Sequence, residues 1–215
     1  MGIVLGLAAV PGCGQIVSER EGNIIFIAQD GARRQVTDRH LDAEPSLSFD
    51  NRQAVFVRRT PGHPIETGID AVDDNELWVA PVDGSGAPRR VLAGHAGGFD
   101  PGPEMVLAGF GAPQFSPDGK RIYFTAATWA TASAIHTLDL TTGKTTFLFP
   151  GLGVEVIRTG EHAGFLIGEK DPITQDRGRI VIYWLLNPDG SEVRRIGETA
   201  DDVTQFKTST SAQKH

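Results

Sequence analysis

The chain has 215 residues, a hydrophobic share of 40%, a charged share of 22% and a formal net charge of −7. This acidic balance excludes a nucleic-acid binder working through a basic surface, and the single cysteine, Cys13, excludes an internal disulfide. The 26 glycines and 13 prolines fall mostly between short apolar runs, a pattern of many turns and strands and few long helices.

Residues 1–13 open the chain with an apolar, uncharged stretch, Met1 to Gly12, followed by Cys13. The stretch is too short to cross a bilayer as a helix. It resembles the end of a bacterial lipoprotein signal peptide, which implies acylation of Cys13 and a periplasmic or cell-envelope location. No Lys or Arg precedes the run, and Pro11 is unusual beside such a site. Two readings stand: a remnant of a signal with a lipid anchor at Cys13, or a plain disordered or strand-forming N-terminus.

From Gln15 onward the residues alternate as strands do. Runs are expected at residues 15–20, 24–27 and 33–37, with turns at Glu21-Gly22-Asn23 and Asp30-Gly31. A second unit carries strands at 54–57, 76–80 and 88–92, and a long loop over 60–75. After another long loop, 93–111, comes the stretch Pro113 to Ala126, PQFSPDGKRIYFTA, a hairpin written almost in full. Pro117 presets φ for the turn and Gly119 supplies the positive φ that closes it. Residues 45–57 repeat this unit: Pro45 answers Pro113, and Asp50-Asn51 answers Asp118-Gly119, Asn being the next residue most tolerant of positive φ. Further strands are expected at 135–139, 145–149, 154–157, 164–167, 179–186 and 192–196. Residues 203–207 are read as one more strand before a frayed polar tail, 208–215.

The second half of each unit recurs best, in the pairings Asp30-Gly31 before Arg33-Arg34, Asp83-Gly84 before Arg89-Arg90, and Asp189-Gly190 before Arg194-Arg195. A period of about 50 residues with four antiparallel strands per repeat points to a propeller. These residues resemble the TolB-like (WD-repeat-like) β-propeller repeat family, strongly at 115–124, in part at 47–57, and without an SPDG turn in the last unit. The expected fold is all-β: a single β-propeller domain over residues 14–207, of about four four-stranded blades. Its first blade, which supplies three strands, is closed by the strand at 203–207. An incomplete array, open or closed by dimerisation, is the alternative.

In such a blade the first and third turns share one end and the second turn and the blade connections share the other. All the long loops fall in the second set, so that end is the candidate binding face. Its binding-face candidates are His63, Glu66, Asp70, Asp73, Asp74, His95, Asp100, Glu104, Asp171 and Asp176. They read as a cation site, a surface for a basic partner, or ordinary acidic surface loops. No run has calcium-loop spacing, and no two of His63, His95 and His162 have the spacing of ligands on one helix or strand, so no metal and no cofactor is expected. No Gly-x-Ser-x-Gly elbow occurs and no catalytic residue is assigned. The expected function is a non-catalytic protein-binding or scaffolding module of the bacterial cell envelope, with a protein partner and no nucleic acid. The alternative is a carbohydrate-active propeller enzyme, lyase or hydrolase, using loop His and carboxylates.

Overall fold

The computed structural model describes residues 15–62, 64–66, 71–72, 74–95, 107–128, 132–170, 173–174 and 178–211. Apolar residues alternating with period two build four antiparallel sheets packed face to face in chain order. Sheet I has three strands, β1 (Ile16–Arg20), β2 (Asn23–Ile27) and β3 (Arg33–Gln35). Sheet II begins with β4 (Asp42–Leu47) and β5 (Gln53–Arg59). A two-strand ribbon, β6 (Ile65–Glu66) and β7 (Ala71–Val72), interrupts it before β8 (Asn75–Pro81) and β9 (Arg89–Ala93) complete the sheet. Sheet III is β10 (Gly111–Phe115), β11 (Arg121–Thr128), β12 (Ala132–Asp139) and β13 (Thr145–Pro150).

Sheet IV is β14 (Gly153–Val156), β15 (Leu166–Lys170), β18 (Ile182–Leu186) and β19 (Glu192–Gly197), interrupted by a ribbon of β16 (Ile173–Thr174) and β17 (Gly178–Arg179). The first ribbon lies within residues 60–75, read from sequence as a plain loop, and Arg179 of the second falls in the run read as a strand over 179–186, which here begins at Ile182.

Three seams hold the stack. Ile24 and Phe26 of sheet I meet Leu47, Ala54, Phe56 and Ala80 of sheet II. The other face of sheet II, Val55, Val57, Leu77 and Val79, meets Phe115, Ile122, Phe124 and Leu138 of sheet III. Tyr123, Ile135 and Phe149 then meet Val154, Val156, Leu166 and Leu186 of sheet IV. Side-chain amides stitch the inner strands together. Gln114 donates to the Val154 carbonyl at 2.8 Å and accepts from the Val156 amide at 2.9 Å.

The expected repeat register holds in detail. Ser116 Oγ donates to Asp118 Oδ1 at 2.6 Å, the Lys120 amide donates to the same oxygen at 3.0 Å, and Gly119 has φ 68°. In sheet II, Ser48 Oγ donates to Asp50 Oδ1 at 2.6 Å, and Asn51 takes the glycine's place at φ 57°. Pro45 and Pro113 match as well. Each follows a residue of positive φ, Glu44 or Ala112, at a shift in strand register.

Two expectations are corrected. Residues 203–207 are not a strand. They belong to helix α1 (Ala200–Ser211), so no C-terminal strand closes sheet I, and β1 pairs only with β2 among the described residues. The helix forms because Thr199 caps it. Thr199 Oγ1 accepts from the Asp202 amide at 3.2 Å, and Asp202 Oδ2 accepts from the Thr199 amide at 2.9 Å, a capping box. Val203 and Phe206, three apart, share a helical face. They pack on Ile167, Leu185, Phe165, Tyr183 and Ile196, the side of sheet IV turned away from sheet III. The tail therefore covers the end of the stack instead of joining its beginning.

Candidate functional site

Strand direction assigns the strands of sheet I. The connection over residues 36–41 is short and enters β4 at the end where β5 stops, with the Arg59 amide donating to the Leu41 carbonyl at 2.9 Å. Thus β3 runs like β9, the fourth strand of its sheet, and β1 corresponds to a second strand. The innermost position of sheet I is unfilled among the described residues.

The same alternation puts the β5–β8, β9–β10 and β15–β18 connections at one end of the stack, as the sequence implies. The opposite end carries the tight turns, and also the longer connection 157–165, where His162 stacks on Phe206 at 5.6 Å.

The acidic and histidine candidates are placed only in part. His63, Asp70, Asp73, Asp100, Glu104, Asp171, Asp176 and Cys13 lie outside the described residues. Glu66 pairs with Ala71 in the first ribbon, and exposed His95 forms an isolated bridge with Leu107. Asp74 lies beside Gly94, where a Cβ would stand 2.7 Å from its Oδ1, and that oxygen is buried with no hydrogen-bond partner among the described residues. The fold therefore brings Asp74 next to the residue preceding His95. No three His, Cys, Asp or Glu side chains gather as a metal-holding group among the described residues.

A pocket of about 340 Å³ opens on this loop-bearing end, where the connection from sheet I enters sheet II. Its apolar wall is Leu41, Pro61 and Trp78, and its polar wall is Arg39, Arg58, Arg59, Thr60 and Glu76. Two carboxylates at the pocket, those of Asp42 and Glu76, are already paired. Asp42, fully buried, receives both Nε and Nη2 of Arg58, at 2.6 and 2.9 Å. The Arg58 guanidinium also stands 4.2 Å from the centre of the Trp78 ring. Glu76 accepts from Trp78 Nε1 at 2.8 Å and from Arg90 Nη1 at 2.6 Å.

Arg39 and Arg59, both exposed, form no ion pair or side-chain hydrogen bond among the described residues. The pocket rim is therefore cationic in an acidic protein. Sequence reasoning followed the acids and histidines of the long loops and gave these arginines no role. The available signal was Arg58, an Arg closing the apolar run 54–57 on a strand with Asp42 sixteen residues earlier.

Solved structures share this architecture. The putative TolB of Agrobacterium tumefaciens superposes with a TM-score of 0.56 at 16% identity, covering 88% of this chain and 60% of that one. TolB of Acinetobacter baumannii superposes with a TM-score of 0.53 at 14% identity, covering 82% and 38%. The β-propeller domain of the Trilobed protease of Pyrococcus furiosus, described as having an open velcro topology, gives 0.51 at 11% identity, covering 83% and 49%. No protein-family model matches the sequence, and no curated protein matches it. The fold is that of a TolB-like β-propeller, and the chain spans between 38% and 60% of the length of these three relatives.

Proposed function

We propose that this chain is a non-catalytic protein-binding or scaffolding module of the bacterial cell envelope, and that it engages its partner through the loop-bearing end. One observation carries the reading: the β5–β8, β9–β10 and β15–β18 connections and the cationic pocket share an end, while the SPDG-type turns are confined to the other. A rigid stack of sheets that elaborates one end positions a recognition surface there. The acidic and histidine candidates belong to the same surface in this reading, whether or not they hold a cation. The resemblance of the first residues to a lipoprotein signal adds attachment through Cys13.

Photo-crosslinking in cells tests the partner surface. A crosslinking residue at position 39 or 61 is expected to trap a discrete protein, and the same residue at position 118 or 189 is not. Equal trapping at both ends overturns the proposal. Mass spectrometry of the mature N-terminus, from the full native gene, tests the anchor. An unmodified Cys13 with its preceding residues retained removes it.

A further inference from the structure

We infer that the cationic pocket holds a carboxylate joined to an apolar group, namely the C-terminal residue of a partner polypeptide, an inference that rests on the protein-binding reading above. Charge accounting leads there. Asp42 is neutralised by Arg58, and Glu76 is neutralised by Arg90 and accepts a hydrogen bond from the Trp78 indole, so neither competes for a further cation. Arg39 and Arg59 line the same space with no described partner. Their planar guanidinium groups present paired donors that match a carboxylate.

The rest of the lining restricts the ligand. Leu41, Pro61 and Trp78 supply an apolar wall that a bare, strongly hydrated phosphate does not need. A volume of about 340 Å³ lies near the small end of ligand sites, suited to a single terminal side chain with its carboxylate, not to a long segment. The Asp42–Arg58 pair, stacked on Trp78, holds the floor rigid, so little ordering remains to be done on binding.

Calorimetric titration of the full chain tests this with hexapeptides ending in Phe, Leu or Val, their C-terminal amides, 3-phenylpropionate and inorganic phosphate. At least one free-acid peptide is expected to bind, and its amide at least tenfold more weakly. Arg39→Gln and Arg59→Gln are each expected to weaken the free acid several-fold while leaving the thermal midpoint unchanged, since both side chains are exposed. Failure of every free-acid peptide to bind, or equal binding of acid and amide, overturns the inference. Binding of 3-phenylpropionate as tight as that of the peptide keeps the carboxylate and removes the polypeptide end as its source. Phosphate binding as tightly makes this a general anion site and also overturns it. Loop-end crosslinks that persist in the Arg39→Gln/Arg59→Gln protein would show this inference failing while the protein-binding reading stands.

Discussion

Ser116 and Asp118 share the work of one turn: the hydroxyl donates to the carboxylate, and the carboxylate collects the Lys120 amide. The Ser116 hydroxyl, followed by the Lys120 amide, holds the Asp118 carboxyl below the usual carboxylate range, and Ser48 with Arg52 does the same for Asp50. A carboxyl lowered in the folded state contributes stability above its unfolded value of about 3.9, and loses it as pH falls through the folded value. Asp118→Asn should therefore be less stable than the parent near pH 6, and the difference should shrink as pH falls below the unfolded value, as read by urea unfolding across that range.

The buried pair obeys a different rule. Arg58→Met leaves Asp42 charged and unpartnered at zero exposure, with an expected cost of about 3–5 kcal/mol. Asp42→Leu combined with Arg58→Met should recover much of that loss, and a double-mutant cycle in urea measures it. The turn chemistry was legible residue by residue, including Asn51, because local backbone demands leave a local trace. The Arg58–Asp42 pair was not, because its partners meet only when β4 and β5 align.

Helix α1 shows where reading a single element went astray. Val203 to Lys207 looks like a short strand if the apolar residues are taken as β formers. The three-residue step from Val203 to Phe206, and the Thr199–Asp202 box before it, already favour a helix. What the sequence does not display is the surface that the helix needs, the outer side of sheet IV. Phe206 is 7% exposed against that surface, and the Arg194 guanidinium lies 4.9 Å from its ring centre. Phe206→Ala is expected to cost about 3 kcal/mol, and Thr199→Ala about 1 kcal/mol, both by chemical denaturation. Ending the chain at residue 198 should bare Ile167, Leu185 and Phe165 and produce dye binding that the full chain lacks.

Across the whole molecule, the repeat and the stacking order were readable because the period, the turn residues and the alternation agree with one another. The loop-bearing end was readable for the same reason, since alternation alone assigns every connection to one end. The pocket within it was not, because it is built from a connection, a strand end and a strand beginning that lie far apart along the chain. The fate of the last strand position was also hidden, because closing an array and covering its end are both ways to bury one sheet face.

Capping by α1 has a consequence for how the chain folds. Its three seams and its cap each join sequence neighbours: sheet I to II, II to III, III to IV, and α1 to the face of the sheet just before it. A ring completed by its tail would have to wait for the two ends to meet, whereas these seams let each sheet condense on the one already formed, and Arg158 then reaches back past sheet III to the Leu47 and Ser48 carbonyls. The apolar outer side of sheet IV stays bare until residues 200–211 are made. During synthesis, a chain with these four sheets formed and α1 not yet made therefore exposes Ile167 and Leu185 to its neighbours.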